Sequence, residues 1–304
     1  MATLSHYLEY LTARTGMLVA GTLSPRAADR LGVRLGHAAY WALAARRKIA
    51  FDNIKHALGS SLSDRDIDSL VRDVFANIGR TVIELARYRR TGKQGILALA
   101  DPAPLGILRE ALREGRGVVL ATAHFGNWEI LAAYLAQNGI PTDALALTQS
   151  NPKINELVIN LRRRMGINIL EVPANARQVL RSLKENRLVL MAADQHASAG
   201  TLVMDFFGRP AAIARGPALF AFRSGCSIIP MLMRRERFDR HVIITGSPIT
   251  ASQSGNEEAD VRAMTASYLS FLERNIRQWP DQWLWTHNRW KLKPEEGNLS
   301  AMKS

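Results

Sequence analysis

A histidine and a carboxylate stand five positions apart in the stretch HFGNWE, at His124 and Glu129. The preceding run, residues 117–123 (GVVLATA), is short and apolar, which is typical of a buried strand. An imidazole that follows such a strand into a loop can accept a proton at the carboxyl edge of an α/β sheet. On a continuous helix the two side chains would point about 140° apart. The pair can therefore cooperate only if the backbone turns between them.

Gly126 and Asn127 can make that turn, because glycine permits unusual dihedral angles and asparagine is a favourable N-cap. We therefore expect the Glu129 carboxylate to return to the imidazole of His124. A carboxylate on one ring nitrogen would fix the tautomer and leave the other nitrogen free to take a proton. The same spacing also fits a core histidine and a glutamate that only complements the dipole of its helix.

The charge balance predicts an anionic partner. The 304 residues include 40 Lys and Arg against 27 Asp and Glu, a net charge of +13. Zinc-finger, helix-turn-helix and RNA-recognition signatures are absent, which argues against nucleic acid and favours an acidic membrane surface. Cys226 is the single cysteine, so neither a disulfide framework nor a cysteine-rich metal site is available.

The N-terminal segment predicts a surface helix. Glu9 and Arg14 interrupt its apolar residues, so it has no signal-peptide pattern, and no run of about 20 apolar residues occurs in the chain. The apolar residues between Tyr7 and Val19 could form one side of a helix that lies on a membrane. We expect a cytosolic protein at a membrane face.

Helix and strand patterns alternate after Leu105. Strands are predicted at residues 117–123, 143–147, 168–172, 188–192, 227–233 and 241–245. Helical patterns lie between most of them, and Asn151 followed by Pro152 begins one as N-cap and first helical residue. This alternation predicts an α/β fold with a mostly parallel, twisted sheet flanked by helices.

A helical lead-in precedes this part. Helices are predicted over residues 27–48 and 63–88, the second with a capping pattern that begins at Ser63. We expect a single domain over residues 1–304. In it, residues 1–95 pack on an α/β core of residues 96–294, and residues 295–304 form a frayed tail.

Further segments combine rigid backbone residues with polar ones. The blocks are residues 46–53 (RRKIAFDN), the helix after Asn151, the Asp194-Gln195 pair, the Phe-Phe-Gly turn at residues 206–208, and residues 283–291 (WLWTHNRWK). With HFGNWE, their order resembles the lipid A biosynthesis late acyltransferase (lauroyl/myristoyl acyltransferase) family, of the lysophospholipid-acyltransferase-like superfamily. The three tryptophans of the last block also predict an aromatic plug.

The resemblance implies transfer of an acyl chain from a thioester to a hydroxyl. The donor would be acyl carrier protein or coenzyme A, and the acceptor a lipid A precursor or a related glycolipid or lysolipid. The enzyme would be peripheral or monotopic at the cytoplasmic face of the inner membrane. In the family's H-x4-[DE] motif, the residue matching His124 is the general base and the one matching Glu129 is its partner. Because a thioester is already activated, we expect neither a metal nor a cofactor.

Several other residues are candidates for binding substrate. Backbone amides near the turn at Gly126, or at a helix start, could stabilise an oxyanion. Guanidinium groups match phosphate oxygens, and Asp194 should lie on the same sheet edge as His124. The substrate-binding candidates are Asn127, Arg162, Arg164, Asp194, Gln195, Arg209 and Arg215.

Two departures from the family pattern affect these expectations. The first 24 residues are amphipathic, whereas some members carry a long apolar anchor, and Asp205 stands where proline often precedes Phe-Phe-Gly. Two other functions also fit the sequence. One is a metal-dependent hydrolase with His124, Glu129, Asp194 and His196 as ligands. The other is a non-enzymatic basic membrane-binding protein.

Overall fold

Eight strands occur in the residues that the computed structural model describes, which are 3–172, 176–195, 201–252 and 254–291. They are β1 Val118–Thr122, β2 Thr142–Leu147, β3 Asn168–Val172, β4 Leu188–Ala192, β5 Thr201–Phe206, β6 Arg209–Ala214, β7 Ser227–Arg237 and β8 Arg240–Thr245. Six of them form a sheet in the order β3-β2-β4-β1-β7-β8, and β5 and β6 form a separate hairpin. Within the sheet only β7 and β8 pair antiparallel.

The helices are α1 Leu4–Thr22, α2 Pro25–Ala42, α3 Ala44–Leu58, α4 Asp64–Leu97, α5 Gly106–Arg113, α6 Trp128–Gln137, α7 Pro152–Arg164, α8 Ala176–Lys184, α9 Gly216–Ser224 and α10 Glu257–Gln278. Both faces of the sheet are buried. Val119 and Ala121 of β1 belong to a cluster with residues of α3, α4, α9 and α10, whereas Val118 and Leu120 belong to a second cluster with residues of α5 and α6. Continuous apolar strands are typical of a parallel sheet covered on both sides. The predicted fold class is confirmed.

Glycines bring α2 against α4. A Cβ at Gly36 would lie 2.2 Å from the carbonyl oxygen of Phe75, and one at Gly79 would lie 2.1 Å from that of Gly32. Larger residues would force the helices apart, so these positions set how closely they approach. On its other side α4 packs against the sheet, where Val71 belongs to the same buried cluster as residues of β1.

Two local predictions differ from the structure. The helix expected over residues 27–48 is interrupted at Leu43, whose φ and ψ are −104° and 60°. The break starts α3, from which Asn53 donates hydrogen bonds of 2.7 Å to the carbonyl oxygens of Trp285 and His287. The β5–β6 hairpin was not predicted as strands, because Pro210 in its second strand weakens the strand pattern.

Other local predictions are confirmed. The Ser63 side chain caps α4 in a capping box, and the Asn151 side chain accepts hydrogen bonds from two amides of α7. α4 continues to Leu97, beyond its predicted end at residue 88, and Gly92 interrupts its helical dihedrals with φ of 62°.

The carboxyl ends of β1 and β4 lie side by side, because these strands pair in parallel. His124 follows β1 and Asp194 follows β4, so the sheet places both at the same edge. In the described part of the chain, no helix is long and apolar enough to cross a membrane. The predicted tail, residues 295–304, lies outside the described residues.

Candidate active site

The turn after β1 fits only glycine. Gly126 has φ of +55°, and a Cβ there would lie 2.0 Å from the carbonyl oxygen of Met233. The Gly126 amide donates to the carbonyl oxygen of Gln282 at 2.8 Å, and the Asn127 amide donates to that of Met233 at 3.1 Å. The predicted turn is confirmed. The sequence offered amides near this turn or at a helix start as oxyanion donors, and these two turn amides are already bonded to carbonyl groups of the protein.

His124 forms a dyad with Asp194. Oδ1 of Asp194 lies 2.8 Å from Nδ1 of His124, while Oδ2 accepts from the His124 backbone amide at 2.9 Å and from Trp283 Nε1 at 2.8 Å. Asp194 is buried, whereas the His124 side chain keeps 22% of its exposure. An ionised carboxylate only accepts hydrogen bonds, so the neutral ring carries its hydrogen on Nδ1. Nε2 is then free to take a proton.

The interactions of the dyad favour the protonated form of His124 and the ionised form of Asp194. Burial acts to lower the pKa of His124, but the Asp194 charge, its hydrogen bond and the Glu129 charge outweigh burial, so the net pKa is raised above its ordinary value. Burial acts to raise the pKa of Asp194, yet the contacts with His124 and Trp283 lower it overall. Asp194 therefore remains an anion that stabilises the imidazolium formed when Nε2 takes a proton.

Glu129 contacts an arginine instead of the histidine. Its carboxylate accepts from Nε of Arg162 at 3.0 Å and from Nη2 at 2.5 Å, a two-point ion pair between α6 and α7. The expected His124–Glu129 contact is therefore wrong: the carboxylate on the ring is Asp194. The turn at Gly126 exists, but it directs the imidazole toward the end of β4. Arg162 lies close to the dyad with two of its nitrogens committed to Glu129.

Asn127 is fully buried and both ends of its amide are engaged. Its Oδ1 accepts from the Ile130 amide at 3.0 Å, and its Nδ2 donates to Glu84 Oε2 at 2.6 Å. The N-cap prediction is confirmed. Since these bonds are internal, they give Asn127 a structural part, and its contact with substrate stays a prediction.

A buried ion pair between Arg235 and Glu84 is connected by hydrogen bonds to the Gly126 turn. Arg235 of β7 donates to Glu84 of α4 at 3.2 Å and 2.6 Å, to Asn77 at 2.6 Å and to Thr81 at 2.8 Å. The Thr81 hydroxyl donates in turn to the carbonyl oxygen of Gly126 at 3.1 Å. Burial acts to raise the pKa of Glu84, but Arg235 and a histidine on β8 lower it to about 2. The carboxylate thus stays ionised beneath the turn.

This ion pair was not predicted from the sequence. Arg235 belongs to a basic run that is typical of a solvated face, and Glu84 stands in an ordinary helix. The helical spacing could have indicated it, because Glu84 is three residues beyond Thr81 and seven beyond Asn77, on the apolar side of α4.

The tryptophan-rich segment packs as a plug, as predicted. Trp283, Trp285 and Trp290 are buried against Phe206 and Phe207, with ring centroids between 4.6 and 6.5 Å apart. Through Trp283 the plug also reaches the dyad, since its indole donates to Asp194. The plug therefore fixes the carboxylate that orients His124.

The first turn of α6 presents two unused amides. Among the described residues, no hydrogen bond occupies the backbone N–H groups of Trp128 and Glu129, the first two residues of this helix. The ring of Trp128 contacts that of His124 edge to face, with centroids 5.0 Å apart. Donors at a helix start beside a base can stabilise negative charge.

The remaining four candidates lie in four places. Gln195 follows Asp194 and is half-buried, and Arg164 is exposed at the end of α7. Arg209 is exposed beside the hairpin turn, and Arg215, which precedes α9, lies 3.5 Å from Glu257. Among the described residues, no hydrogen bond or ion pair joins these four side chains to His124 or Asp194, and their binding of substrate stays a prediction. His196, which the hydrolase alternative requires, lies outside the described residues.

This geometry defines a class: an α/β protein whose parallel sheet carries a carboxylate-oriented histidine at its carboxyl edge. The sequence matches the family model described as "Bacterial lipid A biosynthesis acyltransferase" over residues 1–292. The chain belongs to this family and is an acyltransferase.

Relatives of known activity agree with this membership. A phosphatidylinositol mannoside acyltransferase of Mycolicibacterium smegmatis is 26% identical over 254 residues, which cover 78% of this chain and 77% of that protein. The lipid A biosynthesis lauroyltransferase of Escherichia coli is 23% identical over 269 residues, 88% and 86% of the two chains. The E. coli palmitoleoyltransferase is 24% identical over 271 residues, 87% and 85%.

Proposed function

We propose that this acyltransferase moves a fatty acyl chain from the thioester of acyl carrier protein or coenzyme A to a hydroxyl of a lipid A precursor or related glycolipid. The observation that carries the proposal is the 2.8 Å contact of His124 Nδ1 with Asp194, which leaves Nε2 free as a general base. The relatives that act on lipid A and on phosphatidylinositol mannosides support a glycolipid acceptor.

His124 takes the proton of the acceptor hydroxyl on Nε2 as the oxygen attacks the thioester carbon. Asp194 stabilises the resulting imidazolium through its charge and its hydrogen bond. The tetrahedral intermediate then breaks its carbon–sulfur bond. The thiolate leaves and recovers the proton from Nε2, so the ester and the free thiol are the products. A positioned general base of this kind contributes about 100- to 10,000-fold.

The start of α6 supports an oxyanion site. Within the described part of the chain the amides of Trp128 and Glu129 have no acceptor, and the ring of Trp128 contacts that of His124. They can donate to the thioester oxygen as it gains charge, and a lost donor of this type costs about 100- to 1000-fold in kcat. They stand at a helix start, which is one of the two positions that the sequence offered for such donors.

Glu129 has a positioning part in this proposal. Its ion pair with Arg162 ties the first turn of α6 to α7, so it holds the two amides at a fixed distance from His124. In Glu129→Gln we expect kcat to fall, because one of the two charge-assisted bonds is weakened. A merely structural part would lower the unfolding temperature without changing kcat at a temperature where the protein is folded.

We propose peripheral attachment to the cytoplasmic face of the inner membrane through α1. Leu4, Leu8 and Leu11 recur at helical spacing on this helix with exposed fractions of 78%, 58% and 54%, and Leu18 continues the stripe at 52%. Such an apolar stripe can lie in the interface, and the net charge of +13 favours anionic lipids. Binding to phosphatidylglycerol vesicles should fall in the Leu8→Ser, Leu11→Ser double variant.

Transfer of a labelled acyl chain tests the proposal. The purified protein is given a labelled palmitoyl thioester of acyl carrier protein or coenzyme A together with a lipid A precursor or a phosphatidylinositol mannoside. We expect one new ester in the acceptor and one free thiol for each chain transferred, measured by mass spectrometry and thiol titration. Release of free fatty acid without acceptor acylation would reject transfer in favour of hydrolysis.

A further inference from the structure

One sizeable cavity among the described residues is not lined by His124. It has a volume of about 800 Å³ and lies between the second half of α4, residues 98–104 and the turn between β7 and β8. Thr81 lines the narrow cleft beside His124, whereas Glu84, one turn further along α4, lines the cavity. The buried Glu84–Arg235 pair therefore separates the cavity from the dyad.

Two residues that line this cavity carry buried polar atoms without a full set of partners among the described residues. The Tyr88 hydroxyl has no hydrogen bond in that part of the chain, and its pKa is raised by burial and by nearby carboxylates, so it remains an O–H donor. His241 is buried, with no hydrogen bond at Nδ1, and its Nε2 lies 3.5 Å from Glu84 Oε1, too long for a strong bond. Buried polar groups are nearly always satisfied, so polar atoms of a ligand are expected here.

Arginines surround the opening. Arg237 and Arg240 also line the cavity, and their side chains are 71% and 62% exposed, which puts them at its mouth. Arg87 lies further in and donates to the carbonyl oxygens of Ala20 and Leu23. Among the described residues, no carboxylate forms an ion pair with Arg87. Burial and the neighbouring Arg90 lower the pKa of Arg87 overall, although the charges of Asp239 and Glu84 act to raise it.

Acidic residues line the cavity as well, but among the described residues none forms a direct ion pair with Arg87. Asp239 lies 3.7 Å from Arg237, and Arg240 pairs with Glu236 at 2.9 Å, both in exposed positions where such pairs are weak. The Asp101 carboxylate accepts from the Ala103 amide. A ligand anion can therefore compete for the exposed guanidinium groups.

We propose that this cavity is a second ligand site, which binds a phosphate-bearing polar group. Arg87 and Arg240 bind the phosphate, because guanidinium groups present paired donors to its oxygens. Tyr88 donates to a further oxygen of the ligand, and Nδ1 of His241 bonds to a hydroxyl. An acyl chain would leave both of these groups unpaired. The phosphate can come from a membrane lipid head group or from a soluble phosphate monoester.

Saturable thermal stabilisation tests the site, since a ligand that binds the folded state raises the unfolding temperature with its concentration. One arm uses inorganic phosphate, with chloride balancing the ionic strength. The other uses dihexanoyl phosphatidylglycerol below its micelle-forming concentration. We expect Tyr88→Phe and Arg240→Gln each to weaken binding about tenfold, the loss of one good hydrogen bond. Arg113→Gln, which alters an exposed ion pair on α5, is the matched control and should bind as the unaltered protein does.

The two arms separate the sources. Tyr88-dependent stabilisation by the phospholipid alone supports a lipid head group, whereas stabilisation by inorganic phosphate supports a soluble phosphate ligand. No saturable shift in either arm would overturn the proposal, as would equal affinities in Tyr88→Phe, Arg240→Gln and the control. His124→Ala should keep this binding, so the proposed site and the proposed acyl transfer can fail separately.

Discussion

Asp194→Asn should lower kcat about 10⁴-fold by reversing the tautomer of His124. Oδ2 of Asp194 faces two fixed N–H donors, the His124 amide and the Trp283 indole, whereas Oδ1 faces only Nδ1. The asparagine oxygen must therefore occupy the Oδ2 position, because an NH₂ group there would oppose both donors. The NH₂ group then points at Nδ1 and donates to it. The ring hydrogen moves to Nε2, which can no longer accept the proton of the acceptor.

The magnitude follows from this exchange. Weakening one charge-assisted hydrogen bond costs about 1.5–3 kcal/mol, or roughly 10- to 150-fold. A wrong tautomer adds to that, and the same substitution in a Ser-His-Asp system lowers kcat by about 10⁴ with the geometry intact. The assay is single-turnover transfer of a labelled acyl chain to whichever of the two glycolipid acceptors the unaltered enzyme acylates.

A control variant accompanies the test of Asp194→Asn. Asp52→Asn changes an exposed carboxylate that pairs with Lys48, and its rate should equal that of the unaltered enzyme. The unfolding temperature of Asp194→Asn is measured in parallel, so that misfolding is recognised. A folded Asp194→Asn variant that keeps more than about a tenth of the rate would refute the tautomer argument, since even the single weakened bond should cost more.

Two further predictions concern titration and stability. Because the neutral ring of His124 is the active form, kcat/KM should rise with pH through the raised pKa of this histidine. Asp194→Asn removes the charge that raises this pKa, so the rise in kcat/KM should shift to lower pH. A pH profile that does not move in this variant would assign the titration to another group. Glu84→Gln should lower the free energy of unfolding, measured with urea, by about 3–5 kcal/mol, because it leaves Arg235 buried without its carboxylate. Glu110→Gln, in an exposed ion pair, should cost about 1 kcal/mol or less, and equal losses in the two variants would contradict the buried-pair account.

The sequence predicted the parts of the fold that repeat a simple pattern. All six strands of the sheet were identified: β1, β4 and most of β7 are continuous buried apolar runs, whereas β2, β3 and β8 are short runs that are partly exposed. The break at Leu43 was missed, since neither proline nor glycine marks it. The β5–β6 hairpin was missed because Pro210 contradicts the strand pattern.

The position of the candidate site was predicted from the sequence, and its contacts were predicted only in part. His124, the Gly126 turn and the position of Asp194 at the same edge followed from sheet topology. Which carboxylate reaches the ring did not, because Glu129 is near in sequence whereas Asp194 is near only once β4 pairs with β1. Arg162 was expected to bind phosphate, and its ion pair with Glu129 depends on the packing of two helices that no local pattern encodes.

The most direct test of the account is single-turnover acyl transfer by His124→Gln, which keeps a polar side chain but cannot act as a base near neutral pH. We expect this variant to transfer the acyl chain about 100- to 10,000-fold more slowly, with an unchanged unfolding temperature and unchanged binding of the thioester donor. A folded variant that transfers the acyl chain at the unaltered rate would show that His124 is not the base.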